Sequence, residues 1–301
     1  MTSFFAIFLN VIMPVFGIVM IGYLLGGRLA LQAQTLTRAA YYVFVPAFIF
    51  QAISGSRIPL DDAAKMLCFI ILVHLLAALL AGSFARIMGQ TREMIAAFIM
   101  VSIAGNVGNY GLAMIHFRFG DDAVAPATLY YVALSITIFV VCVGAAGWAK
   151  GGGRGVLSGL LKTPAIWAAV PALLVSNSSF VVPLMLSRMI GLLAGAMIPV
   201  MLFSLGLQLL EQKQIRITRE VLSASALRLI ATPLLACLIA IPFSLNHLEY
   251  AAGVLQSAMP TAIMASIIAK EHGIAPHFVT TAVLVTTLAS LVTLPIFMVA
   301  L

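Results

Sequence analysis

The sequence predicts an all-α membrane protein: ten transmembrane helices in two inverted five-helix repeats, with helices four and nine broken where they cross. Three observations carry that prediction. Hydrophobic residues make up 63% of the 301 positions and charged residues 8%, with a mean hydropathy of +1.15. A soluble domain carries roughly a quarter charged residues, so this chain is suited to lipid and not to water. Apolar stretches near the ~20 residues that a span requires recur from end to end. A Gly-rich, basic break in the middle leaves five stretches on each side, and an odd number of spans per half forces opposite insertion.

In order, the first repeat (1–149) holds spans at 4–25, 37–55, 62–87, 93–117 and 122–149. The second repeat (164–301) holds spans at 164–180, 184–210, 220–243, 248–270 and 275–301. Long apolar runs without period-2 alternation make these helices and exclude a β-barrel. The first follows Met1-Thr2-Ser3 with no basic residue and is of span length, so it is expected to stay as a helix and not to be a cleaved signal. The fourth holds Gly105-Asn106-Val107-Gly108-Asn109-Tyr110-Gly111, whose glycines and asparagines are poor helix formers. The ninth holds Ser257-Ala258-Met259-Pro260-Thr261-Ala262, in which Pro260 removes a backbone donor and clashes with the preceding turn. The third and eighth carry His74 and Arg228, each well inside the apolar run, where ionisable residues are functional candidates.

The break itself, 150–163, runs Lys150-Gly151-Gly152-Gly153-Arg154-Gly155 and on to Lys162, and is expected to be a cytoplasmic linker. No Gly-Lys-Ser/Thr follows the glycines, so a nucleotide loop is not expected. Eleven of the 16 Lys and Arg fall on one side of the ten spans: Arg28, Arg38, Arg86, Arg92, Lys150, Arg154, Lys162, Lys213, Arg216, Arg219 and Lys270. Arg57, Lys65, Arg118 and Arg188 fall on the other. The richer side is expected to be cytoplasmic, with both termini outside the cell membrane (the inner membrane of a bacterium). The net charge of +7 belongs to this asymmetry, and no basic cluster with interleaved aromatics points to nucleic acid.

Broken helices are tolerated in a membrane where they line a cavity or are buried in protein. Two breaks meeting at the midplane would aim half-helix N-termini at one point and favour an anionic group there. The candidate substrate-binding residues are therefore Ser102, Gly105, Asn106, Gly108, Asn109, Ser257, Pro260, Thr261 and Arg228. Asn106 and Asn109 are the sharpest pair, because mid-bilayer carboxamides need partners, either a ligand or a neighbouring helix. Arg228 could attract an anion or gate the cytoplasmic vestibule, or it could snorkel or pair with a helix C-terminus. Every Asp and Glu falls at or near a span end, which disfavours proton coupling through a buried acid.

The segments at 105–111 and 257–262, with Val45-Pro46-Ala47-Phe48 and Ile198-Pro199-Val200-Met201-Leu202-Phe203-Ser204-Leu205-Gly206, resemble the auxin efflux carrier family of bacteria and plants. The resemblance covers essentially the whole chain. It implies a fold like that of bile-acid/sodium symporters, with spans one, two, six and seven as a scaffold and the others as a moving core. It also implies transport of small organic anions by a homodimer. No cofactor is expected, although a sodium ion could bind backbone carbonyls, Asn and Ser/Thr oxygens at the crossover. The alternatives are a sodium-coupled symporter of organic anions and a non-transporting membrane sensor or subunit. An enzyme is not expected: the chain has no HExxH, no GxSxG and no pair of intramembrane aspartates. Cys68, Cys142 and Cys237 lie in separate apolar runs and His74, His116, His247, His272 and His277 are scattered, so no metal site is expected.

Overall fold

The structure is a computed structural model and describes residues 4–56, 59–151, 164–210 and 215–301. The expected linker therefore lies, from residue 152 to 163, outside the described residues. The regular structure of the described residues is all helical, and an isolated bridge between Gly105 and Thr261 is the sole β pairing among them. We number the helices α1 Phe4–Gly26, α2 Ala33–Ser54, α3 Leu60–Ile87, α4 Arg92–Ile103, α5 107–119, α6 Asp121–Lys150, α7 Pro164–Ser176, α8 Leu184–Leu210, α9 Arg219–Phe243, α10 His247–Ser257, α11 Ile263–His272 and α12 Pro276–Ala300.

Seven helices among the described residues are long and apolar enough to cross a membrane singly: α1, α2, α3, α6, α8, α9 and α12. The expected fourth span is instead the pair α4 and α5, and the expected ninth is the pair α10 and α11. The expected sixth is the 13-residue α7, which stops at Ser176 and not at 180. Large apolar side chains are exposed along the outer faces, among them Leu24, Leu79, Leu174, Leu192, Leu238 and Val292. Such a coat suits hydrocarbon and would be costly in water.

Four wide turns interrupt the α-helical pattern: Phe8–Ile12, Ala40–Phe44, Val107–Gly111 and Leu227–Ala231 are π-helical. Three of them have a common cause. Pro14, Pro46 and Pro233 each stand two residues beyond a π turn. A proline ring collides with the carbonyl four residues back and leaves that carbonyl unpaired. One extra residue in the turn relieves the collision while the helix continues. The fourth π turn carries no proline and opens α5 in the Gly/Asn segment.

Helices α1, α2, α7 and α8 pack on one another, and α8 lies along α1 so closely that glycines are required. A Cβ on Gly206 would come within 2.0 Å of the Val19 carbonyl oxygen, and one on Gly22 within 2.2 Å of that of Phe203. Close approach of this kind is how membrane helices gain dispersion contacts where lipid offers no hydrophobic drive. The remaining helices form a second group, tied by α3 to α4, α6 to α4, α9 to α12 and α11 to α12.

Two sets of contacts fix the directions of the broken pairs. Lys150 at the end of α6 pairs with Glu93 at the start of α4 at 2.7 Å. Arg118 near the end of α5 donates to the Met298 carbonyl at the end of α12, 3.1 Å from Nη2. The α4–α5 pair and the α10–α11 pair meet at their breaks in antiparallel sense.

Candidate functional site

The crossover is a two-rung ladder. The Asn106 amide donates to the Pro260 carbonyl at 2.7 Å, and the Ala262 amide donates to the Ala104 carbonyl at 2.6 Å. Thr261 braces it from both ends: its amide donates to Thr286 Oγ1 at 3.0 Å and its hydroxyl donates to the Val101 carbonyl at 3.0 Å. The backbone groups freed by the two breaks are thus largely satisfied by the opposite break, which is what makes unwinding affordable in an apolar slab.

Arg228 completes the arrangement. It is fully buried on the π turn of α9. Its Nε donates to the Met259 carbonyl at 2.7 Å and its Nη1 to the Ser102 carbonyl at 2.9 Å. Of its expected roles, pairing with helix C-termini is therefore the one its hydrogen bonds perform. The guanidinium does not line the cavity described next.

The three glycines of the fourth span each make room for a named side chain. A Cβ on Gly105 would lie 2.2 Å from Arg228 Nη2, on Gly108 2.6 Å from the Tyr131 ring, and on Gly111 1.9 Å from Gln256 Oε1. The glycines break the helix and also let three partners reach the broken backbone.

Beside the ladder lies a cavity of about 140 Å³. Gly105, Asn106, Val107, Gly108 and Asn109 form one wall, and Ala262, Ile263, Met264, Ile267 and Ile268 form the next. Tyr131, Ser135, Ile138 and Phe139 of α6 close a third side, with Thr37 and Tyr41 of α2 and Met201 and Gln208 of α8 opposite. No charged side chain is among these. Asn106 is 5% exposed, and among the described residues no hydrogen bond holds its carboxamide or that of Asn109. Both neighbouring helix starts are without a side-chain cap: Asn106 precedes α5 and Ala262 precedes α11, and neither side chain bonds the first turn. Uncapped first turns present N–H groups and partial positive charge to whatever occupies the cavity.

Of the nine candidate residues, Gly105, Asn106, Gly108 and Asn109 line this cavity together. Ser102, Pro260, Thr261 and Arg228 stand behind them in the crossover. Ser257 lies apart, in a buried chain in which Tyr130 Oη is 2.7 Å from Ser257 Oγ and 3.4 Å from His74 Nε2. Thr37, Tyr41, Tyr131, Ser135 and Gln208 are lining residues that sequence reasoning missed. Gln208 Nε2 donates to Thr37 Oγ1 at 2.7 Å, and Thr37 and Ser204 share a bond of 2.8 Å, so α2 and α8 present one polar patch. Each is a polar side chain in a span that carries several others, so none stood out in the sequence.

A bundle of membrane-spanning helices, interrupted at paired breaks beside an uncharged cavity lined by amides, is the build of a multi-pass membrane transporter. Residues 152–298 match the family described as "Membrane transport protein". The resemblance read from the crossover segments holds at this level. Over 294 residues the chain is 24% identical to an "Uncharacterized transporter" of Methanothermobacter thermautotrophicus, covering 96% of this chain and 97% of the relative. It is 25% identical over 298 residues to a protein of Rhizobium meliloti named "Putative malonate transporter", covering 94% and 92%. It is also 25% identical over 303 residues to the "Uncharacterized transporter YfdV" of Escherichia coli, covering 96% of each.

Proposed function

We propose that the protein carries small organic anions across the cell membrane by alternating access, with the cavity beside the crossover as the substrate site. The observation that carries this is the convergence of two carboxamides, Asn106 and Asn109, with two uncapped helix N-termini. Amide N–H groups and helix N-termini together complement a carboxylate. Arg228, directly behind Gly105, does not contact the substrate in this reading. Charge selection by dipoles and not by a lining Lys or Arg leaves the anion held weakly enough to be released. The relative named for malonate makes a short dicarboxylate the first substrate to try.

In this reading α4–α5 and α10–α11 are the fourth and ninth of ten spans in two inverted repeats. The four helices packed around α1 and α8 stay still while the others move. The cavity reaches from the crossover towards the starts of α2 and the ends of α8 and α11, the side richer in Lys and Arg, which we take as cytoplasmic. An anion there is driven outward by the membrane potential, by about 2.3 kcal/mol per charge per 100 mV.

The test is flux in proteoliposomes, with malonate and a panel of mono- and dicarboxylates, at imposed potentials. Asn109→Ala, which removes no hydrogen bond seen among the described residues, is expected to lower initial flux by roughly 100-fold, about 2.7 kcal/mol, with an unchanged elution profile and helicity. Wild-type flux from this variant would take Asn109 out of the site. Flux of neutral solutes alone would sink the anion assignment.

A further inference from the structure

We propose that Arg228 is a resident cation for the crossover: it neutralises the two helix C-termini that meet there, in the place where a bound metal cation would otherwise be required. The evidence is an account of where the carbonyl oxygens go. At the end of α4, Val101 accepts from Thr261 Oγ1, Ser102 from Arg228, Ile103 from the Gly105 amide and Ala104 from the Ala262 amide. At the end of α10, Met259 accepts from Arg228 and Pro260 from the Asn106 amide. These six carbonyl oxygens, which could otherwise face a cation, each already have a donor.

Charge leads to the same place. Each helix C-terminus carries about −0.5 elementary charge, so two of them balance one guanidinium. No carboxylate among the described residues pairs with Arg228, whose side chain is wholly buried. Without the two dipoles such a charge would be strongly disfavoured, and without Arg228 the two negative ends would face one another. The planar fork is what spans both carbonyls, since a Lys ammonium is a point donor. Gly105 fits the same role: Nη2 has no hydrogen-bond partner and lies where a Cβ at 105 would be, stacked over the backbone between the two breaks. The π turn at Leu227–Ala231 lifts Arg228 into position, and the Leu227 carbonyl that it loosens accepts from Thr232 Oγ1 at 3.0 Å.

Arg228 is thus a positioning residue, and it follows that the crossover holds its shape without sodium. That consequence for transport rests on the carrier reading above, whereas the test does not use a substrate. Thermal unfolding of the purified full-length protein is recorded in detergent at constant ionic strength, with choline, sodium or millimolar guanidinium as the added cation. The wild-type midpoint is expected to be the same in sodium and choline. Arg228→Ala is expected to unfold roughly 10 °C lower and to regain at least half of that loss on addition of guanidinium, which leaves the wild type unmoved. Arg228→Lys should fall between the two. A wild-type midpoint raised by sodium overturns the proposal, as does an Arg228→Ala midpoint equal to wild type or indifferent to guanidinium. If Arg228→Ala does not accumulate as folded protein, Arg228→Lys carries the test, and a wild-type midpoint for it overturns the proposal. Each result concerns the crossover alone, so loss of this proposal leaves the organic-anion assignment standing, and the reverse.

Discussion

Asn106→Asp is expected to abolish anion flux while leaving the protein folded. The side chain is 5% exposed and lines the cavity, and the near-isosteric substitution breaks no hydrogen bond seen among the described residues. The backbone of the same residue holds the crossover: its amide donates to Pro260, and its carbonyl accepts from the amides of Tyr110 and Gly111. None of these depends on the side chain. A carboxylate at the start of α5 is favoured by the helix dipole but penalised by its burial, so some loss of stability is expected. For an anionic substrate the new charge is repulsive. Two negative charges about 4 Å apart at an effective dielectric near 20 repel by about 4 kcal/mol, close to a 1,000-fold loss of affinity. Initial uptake rates at equal amounts of folded protein would measure it. A variant that still moved the wild-type anion at the wild-type rate would place the substrate elsewhere.

Gly206→Ala is expected to destabilise the packing of α1 against α8 more than an added methyl usually does. The new Cβ would meet the Val19 carbonyl oxygen at 2.0 Å and the Tyr23 amide nitrogen at 2.6 Å. Both are backbone atoms, so no side-chain rotation relieves the overlap and the helices must separate. Overpacking costs about 1–3 kcal/mol where side chains can shift, and a backbone clash belongs at or above the upper end. A fall of roughly 5 °C or more in the unfolding midpoint follows. Gly22→Ala meets the Phe203 carbonyl in the same interface at 2.2 Å. Once one methyl has parted the helices the second costs less, so the double variant should lose less than the sum of the singles. Strict additivity would mean that the two contacts are independent.

Much of the site was legible in the sequence because lipid makes unusual residues conspicuous. Three glycines and two asparagines in seven positions, and a proline in the ninth apolar run, marked both breaks. Arg228 stood out as a charge within an apolar stretch. Its hydrogen bonds did not, since they depend on where two distant segments stop being helical. The sequence likewise offered no way to see that Gly105, Gly108 and Gly111 serve three different neighbours, because each neighbour comes from another helix. The π turns were half legible: Pro14, Pro46 and Pro233 predict disturbance, but whether a helix kinks or widens depends on its packing. The polar patch of Thr37, Ser204 and Gln208 was obscured by ordinary composition near helix ends. The sixth span was expected to run to 180, whereas the helix ends at Ser176, just before the polar run Asn177-Ser178-Ser179.

The ladder at the crossover also governs when the molecule can finish folding. Val101 and the Thr261 hydroxyl that it accepts from are 160 positions apart in the chain, and Arg228 and Ser102 are 126 apart. During synthesis α4 therefore enters the bilayer with the carbonyls of its last turn uncovered, and stays so until most of the second half has been translated and inserted. The early intermediate has to hold those groups against water or its own helices, and the arrival of the segment from Arg228 to Ala262 is the step that locks the two halves together. Truncation before that segment should leave a membrane-inserted but unlatched half, so quality control of this protein would act late in its biogenesis.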